Sequence, residues 1–217
     1  FWRTLFLERN NSQVVIHDRE ALDAVWDIVH LPLTDNGQVD ERGARLLIRR
    51  RVDDLRARLK RLESPATTDD PEDQRILAAH SGVNLEGAWT RIRVQRGVAD
   101  HFKTGLLRSR QWMAELQKIL RDVGVPKEIG ALPFVETMFN PRARSCDGAA
   151  GLWQLMPATA RGLGLKVNRQ QDDRYDIFKA THAAARLLKD NYQQFKTWPL
   201  AITAYNHGPN GMKRAKA

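Results

Sequence analysis

The run Leu132-Pro133-Phe134-Val135-Glu136-Thr137-Met138-Phe139-Asn140-Pro141 sets one carboxylate, Glu136, among apolar neighbours and just before a helix-breaking Asn-Pro pair. A carboxyl group in such surroundings loses solvation when it ionises, so its pKa rises. That is the state a general acid needs near neutral pH. Taken alone, the run also fits an ordinary exposed glutamate at a helix end. Pro126 is placed to open the helix that leads here. Pro133 then lacks the N–H that the carbonyl of Ile129 would accept, so the helix must kink or restart. Such a kink would point Glu136 towards a cleft.

Downstream lies Gly148-Ala149-Ala150-Gly151-Leu152-Trp153-Gln154-Leu155-Met156-Pro157. Its small residues let the backbone approach a neighbour or ligand closely. Trp153, Gln154 and Met156 then offer a flat apolar surface, an amide and a thioether, a mixture that suits a carbohydrate. Further on, Ala204-Tyr205-Asn206-His207-Gly208-Pro209 is a polar-aromatic cluster closed by a turn. Each segment has a structural reading as well: a glycine turn, a core tryptophan, a helix C-cap.

In their order, Glu136-Thr137, Gly151-Leu152-Trp153-Gln154 and Ala204-Tyr205-Asn206 resemble the three signature motifs of the family 1 lytic transglycosylases. Within that family the chain is similar to the membrane-bound transglycosylase D type, where a Pro-Phe-Val-Glu-Ser-like run precedes Asn-Pro and Gly-Leu-Trp-Gln. The resemblance runs from about Arg91 to the end, and Asp173, Asp176 and the stretch Ala180 to Lys189 fit it. Thr137 stands where the family usually has serine, which keeps the hydroxyl and adds a methyl. Cys146 is not a family requirement.

The resemblance implies a predominantly α fold with a lysozyme-like (goose-type/SLT) catalytic domain. It implies cleavage of the β-1,4 bond between N-acetylmuramic acid and N-acetylglucosamine in peptidoglycan, without water, leaving 1,6-anhydromuramyl ends. Glu136 would act as acid and then as base, and the sugar's own N-acetyl oxygen would stand in for a second carboxylate. Tyr205 would hold the N-acetyl group or a carboxylate near C1. Gln154 and Asn206 would hydrogen-bond sugar or Glu136, and Thr137 and Met156 would contact substrate. Trp153 either lines the cleft or packs in the core. Asp147 sits in a polar turn, where a loop-forming role fits it. The partner implied is the glycan strand of peptidoglycan, in the periplasm or cell envelope. Any outer-membrane anchor would lie in a segment absent from this chain. No cofactor is implied.

Composition is compatible with this reading. The 217 residues, 42% of them hydrophobic, can bury one core with a helical appendage. No apolar run approaches the ~18 residues of a membrane span. Phe1 opens neither with an initiator Met nor with a leader pattern, as expected of a piece trimmed from a longer protein. One cysteine cannot form an internal disulfide framework. The net charge of +9 predicts an acidic partner, and either nucleic acid or peptidoglycan satisfies it. No recognisable nucleic-acid motif accompanies the charge, so no nucleic-acid partner is expected. The six histidines are scattered without metal-ligand spacing, and no phosphate-cradling glycine loop appears.

Along the chain, residues 1–85 read as an N-terminal accessory region and 86–217 as the catalytic domain. Thr4 to Glu8 and Gln13 to His17 are compatible with a small β-hairpin, and Asp18 could cap a helix through Leu22, Val25, Trp26 and Val29. Ile48, Val52, Leu55, Leu59 and Leu62 share one helix face. Nine basic against four acidic residues between Glu41 and Glu63 read as the solvated side of that helix, or else as a nucleic-acid arm. Ser64 to Pro71 reads as a linker and Pro71 to His80 as a short helix. Trp89, Ile92, Ala99, Phe102 and Leu106 have helical spacing, as do Met113, Leu116 and Leu120. Pro157 opens a helix ended near Gly162 to Gly164, Asp176 caps another, and Trp198-Pro199 starts the last. Three rivals use the same residues: a hydrolytic muramidase with water as acceptor, a peptidase or amidase built on Cys146 and His207, and a non-catalytic peptidoglycan-binding module.

Overall fold

The computed structural model of the protein describes residues 1–63, 68–80, 82–208, 211, 212 and 214. Part of the linker expected over 64–71, and Pro209 of the tyrosine cluster, lie outside the described residues. The chain forms α1 (Trp2–Leu7), β1 (Gln13–Asp18), β2 (Val25–His30), α2 (Glu41–Arg61), α3 (Pro71–Ala79), β3 (Ile92–Arg96) and α4 (Ala99–Ser109). Then follow α5 (Met113–Val123), α6 (Leu132–Thr137), α7 (Pro157–Gly162), α8 (Ile177–Phe195) and α9 (Trp198–His207). The predominantly helical class expected from the sequence is the one observed. The chain divides into two compact units, Phe1–Lys103 and Thr104–Ala217.

In the first unit β1 is the middle strand of a sheet ordered β2-β1-β3, antiparallel on both sides. This corrects three local expectations. Thr4 to Leu7 is not a strand but part of α1, with Glu8 as its C-cap, because both edges of β1 are already paired. The hairpin is β1 with β2, in register from Gln13 opposite His30 to His17 opposite Val25, with a bulge after Ile16. Val25, Trp26, Ile28 and Val29 are strand residues, as β-branched and aromatic side chains suit a pleated, half-buried surface. Asp18 caps no helix. It accepts the N–H groups of Glu20 and Ala21 in the turn, and the Arg91 guanidinium at 2.9 Å. Helical spacing over Trp89 to Leu106 also misleads: a 3-10 turn (Ala88–Thr90), β3 and α4 occupy it in succession. Because β3 pairs with β1, the compact unit runs past the boundary read at 85/86.

α2 lays Leu55 and Leu59, with Ile48 and Val52 beside them, onto a core that includes Ile16, Trp26 and Ile76. Each fully buried aliphatic side chain there contributes about 2 kcal/mol. The outward arginines are not all free. Arg58 and Arg61 meet the buried Asp73 at 2.7 and 3.1 Å, tying α2 to α3.

In the second unit α8 packs against both α5 and α9. Its buried face includes Ala180, Ala183, Ala184, Leu188 and Phe195, and α5 buries Leu116 and Leu120. Alanines let neighbouring helices approach closely. Asp176 caps α8 as expected, accepting the N–H groups of Phe178 and Lys179 at 3.1 and 3.0 Å. Pro126 opens a 3-10 turn (Lys127–Ala131), and the α-helix restarts at Leu132 with Pro133 in its first turn.

Candidate active site

Glu136 rides on the last turn of α6, and that turn is held from several sides. Met138 and Phe139 follow it with φ of 49° and 56°, two consecutive left-handed residues that are not glycine. Such backbone costs about 1 kcal/mol or more per residue and needs support from its surroundings. Met138 N–H donates to the Phe134 carbonyl at 3.1 Å and Phe139 N–H to that of Pro133 at 3.0 Å. The Phe139 ring is fully buried, 4.9 Å from Phe134 and stacked 6.5 Å from Trp112. From α4, Arg108 donates to the Met138 carbonyl at 2.9 Å. Gly105 permits that approach, since a Cβ there would stand 2.5 Å from the same oxygen.

The Gly-Leu-Trp-Gln segment forms a second wall. Gly151 has φ of 78°, and a Cβ at this position would overlap the Arg174 carbonyl. Its N–H donates to Ala143 at 2.9 Å, and Ala150 and Leu155 exchange backbone bonds at 3.2 Å. Buried Arg174 clamps the segment, donating to the carbonyls of Gly148 at 2.8 Å and Leu155 at 3.0 Å while Asp172 holds its other nitrogens. Trp153 is wholly buried and donates through Nε1 to Thr181 Oγ1 at 2.8 Å. Gln154 adopts φ of 48°, and its amide donates to Gly151 O at 2.9 Å.

α9 supplies the third wall. The Tyr205 hydroxyl donates to the Trp153 carbonyl at 2.6 Å, joining α9 to the second wall. Between the walls lies an open cavity of about 270 Å³. It is lined by Glu136, Ser145, Asp147, Ala149, Gln154, Leu155, Met156, Thr159, Leu187, Tyr205 and Asn206.

Residues 114–217 match the transglycosylase SLT domain. This segment belongs to that family. The match takes in every residue of the cavity, so the cavity is a feature of the SLT domain itself. Two relatives indicate the company it keeps. Membrane-bound lytic murein transglycosylase D of Escherichia coli K12 is 36% identical over 110 residues, which are 50% of this chain and 24% of that protein. The transglycosylase of Enterobacteria phage PRD1 is 35% identical over 85 residues, 39% of this chain and 30% of that protein. The chain therefore spans about a quarter to a third of the length of these relatives.

Within the SLT domain, burial alone pushes the Glu136 carboxyl above the usual glutamate range. Among the described residues it has no cationic partner to oppose that shift. The adjacent Val135 is 66% exposed, so the desolvation comes from the walls rather than from this sequence neighbour. Burial first, and the nearby Glu136 charge second, push the Tyr205 phenol upward, so it stays protonated.

Of the residues expected at the site, Glu136, Gln154, Met156, Tyr205 and Asn206 come together on the cavity. Thr137 does not line it. Its hydroxyl accepts the Asn140 N–H at 3.1 Å and lies 3.1 Å from the Pro133 carbonyl, closing the turn after α6. Trp153 takes the core position of its two readings. Asp147, read as a turn residue, also faces the cavity. Ser145, Thr159 and Leu187 were not singled out by sequence. Thr159 falls three residues after Met156, a same-face spacing that could have found it; Leu187 carries no local signal. Cys146 is exposed and does not line the cavity. Among the described residues no cluster of three or more His, Cys, Asp or Glu side chains could hold a metal.

Proposed function

We propose that this protein is a peptidoglycan lytic transglycosylase whose general acid and base is Glu136. The observation that carries the reading is a half-buried carboxyl, raised by desolvation, set in a cavity beside Tyr205, Asn206 and Gln154. Glu136 protonates the oxygen linking N-acetylmuramic acid to N-acetylglucosamine, and the C1–O bond breaks. The sugar's N-acetyl oxygen stabilises the positive charge that develops at C1. Glu136, now ionised, takes the proton of the C6 hydroxyl, whose oxygen closes on C1 and leaves a 1,6-anhydromuramyl end. The proton returns to where it began and no water is consumed.

Tyr205 spends its only proton on the Trp153 carbonyl. Its oxygen therefore meets the substrate as an acceptor, suited to the N–H of the acetamido group. Gln154 and Asn206 add polar contacts, and Met156, 43% exposed, an apolar one. Glycan strands are the partner and the cell envelope the place of action, in keeping with the names of the murein relatives. No described helix is long and apolar enough to cross a membrane.

Asp147 on the same cavity favours a second reading, a hydrolytic muramidase in which this carboxylate activates water. Mass spectrometry of soluble products from purified peptidoglycan separates the two, with Glu136→Gln run alongside. Anhydromuramyl ends lost in the variant support the lytic reaction. Reducing ends favour hydrolysis, and retained binding without any cleavage would sink both.

A further inference from the structure

The excess positive charge is not spread over the chain. Phe1–Lys103 holds 17 basic and 17 acidic residues, whereas Thr104–Ala217 holds 18 and 9, so the whole +9 belongs to the unit with the cavity. In the first unit arginines repeatedly meet buried or half-buried acids: Arg51 on Asp27, Arg58 on Asp73, Arg91 on Asp18. Arg142 and Arg144 differ. Both are exposed, and among the described residues neither side chain has an ion-pair or hydrogen-bond partner.

Their backbone is nonetheless fixed beside the cavity. They flank Ala143, whose carbonyl accepts the Gly151 N–H at 2.9 Å, and Arg144 stands in a β-bridge opposite Ala150. The residues that follow, Ser145, Asp147 and Ala149, line the cavity itself. Two acids bear on this pair. Asp147 shares the loop. Asp172 feels the charge of Arg144 but is already held by Arg174 at 2.7 Å. Two guanidinium groups at the rim thus remain available to an anion.

We propose that Arg142 and Arg144 form a cationic rim that engages carboxylates of the peptide stems, making the substrate class peptide-bearing rather than stripped glycan. This rests on the peptidoglycan reading above. A guanidinium presents paired N–H donors that match a carboxylate, and a sugar hydroxyl offers no such charge. Two exposed contacts of this kind amount to roughly a three- to tenfold preference.

The test is binding of the Glu136→Gln protein to three immobilised forms of peptidoglycan: intact, stripped of stems by an amidase with the lactyl carboxylates this exposes converted to amides, and with stem carboxylates converted to amides. Intact peptidoglycan should half-saturate at roughly three- to tenfold lower protein concentration than the other two. Raising salt from about 0.05 to 0.3 M should erase most of the difference. Adding Arg142→Gln with Arg144→Gln should bring the ratio to about one, whereas Arg142→Lys with Arg144→Lys, which keeps the charge but loses the paired donors, should keep only part of it. Equal affinity for all three forms, or a preference that survives the glutamine pair, overturns the rim. Wild-type digestion of the same peptidoglycan is read in parallel. If no form yields anhydromuramyl ends while the charge preference persists, the reaction proposed above fails and the rim stands.

Discussion

At Glu136 burial shifts the balance towards the protonated carboxyl, because the walls of the cavity remove water and no described cation replaces it. Its folded pKa lies above the unfolded one. The associated stability is therefore fully present below the ordinary glutamate pKa and is lost as pH rises through the folded value. Glu136→Gln, neutral at every pH, escapes that loss. The variant should match wild type in Tm near about pH 3 and exceed it at about pH 8, in thermal scans at both pH values. A variant less stable than wild type at the higher pH would mean that the carboxylate has a stabilising partner. Turnover should fall by about 10² to 10⁴-fold, the usual weight of a general acid-base group. Tyr205→Phe acts differently. It strips the Trp153 carbonyl of its donor, and should cost about 1–3 kcal/mol in chemical denaturation as well as lowering turnover. A loss of turnover with stability intact would instead make the phenol a substrate contact alone.

Among the elements, the segment from Ala143 to Met156 depends most on a residue outside it. Arg174 holds two of its carbonyls and is itself buried. Arg174→Met should destabilise the protein by about 3 kcal/mol, since it also leaves Asp172 without its partner. Hydrogen exchange should quicken first over 148–155; uniform quickening along the chain would argue against a local clamp. Elements opened by local chemistry were legible in the sequence: Asp176 caps α8, and Pro157 and Pro199 sit in the first turns of α7 and α9. α1 and β2 were not. Which stretch pairs with β1 is settled by β3, whose Ile92 to Arg96 are remote in sequence from Gln13 to Asp18. The site divides the same way. Glu136, Gln154, Met156, Tyr205 and Asn206 belong to short motifs and could be read. Leu187, Arg174 and Arg108 reach the site or its supports through tertiary packing, which spacing does not encode.

Over the whole molecule, the even charge of Phe1–Lys103 and the +9 of Thr104–Ala217 predict opposite responses to salt. The first unit is stitched by ion pairs, with Arg58 reaching Asp54, Asp70 and Asp73 within 2.9 Å and Arg61 joining Asp73 at 3.1 Å. Screening weakens such pairs, least where they are buried. The second unit has two basic residues for every acidic one, and unpaired like charges repel within a compact body. Screening relieves that repulsion. Some of the unit's acids are nonetheless firmly paired: Lys179 heads the contacts that hold the Asp173 carboxyl down at about 2. Because that folded value lies below the unfolded one, its contribution is present above the usual aspartate pKa and fades only as pH falls towards 2. At neutral pH the repulsion should therefore dominate the salt response. Hydrogen exchange on the full chain at about 0.05 and 0.5 M salt tests this, since the Debye length falls from about 14 to about 4 Å over that range. Protection over 104–208 should rise with salt while protection over 41–80 falls slightly or holds. A fall in both would show that ion pairs such as Asp173 with Lys179, rather than net repulsion, govern the unit that carries Glu136.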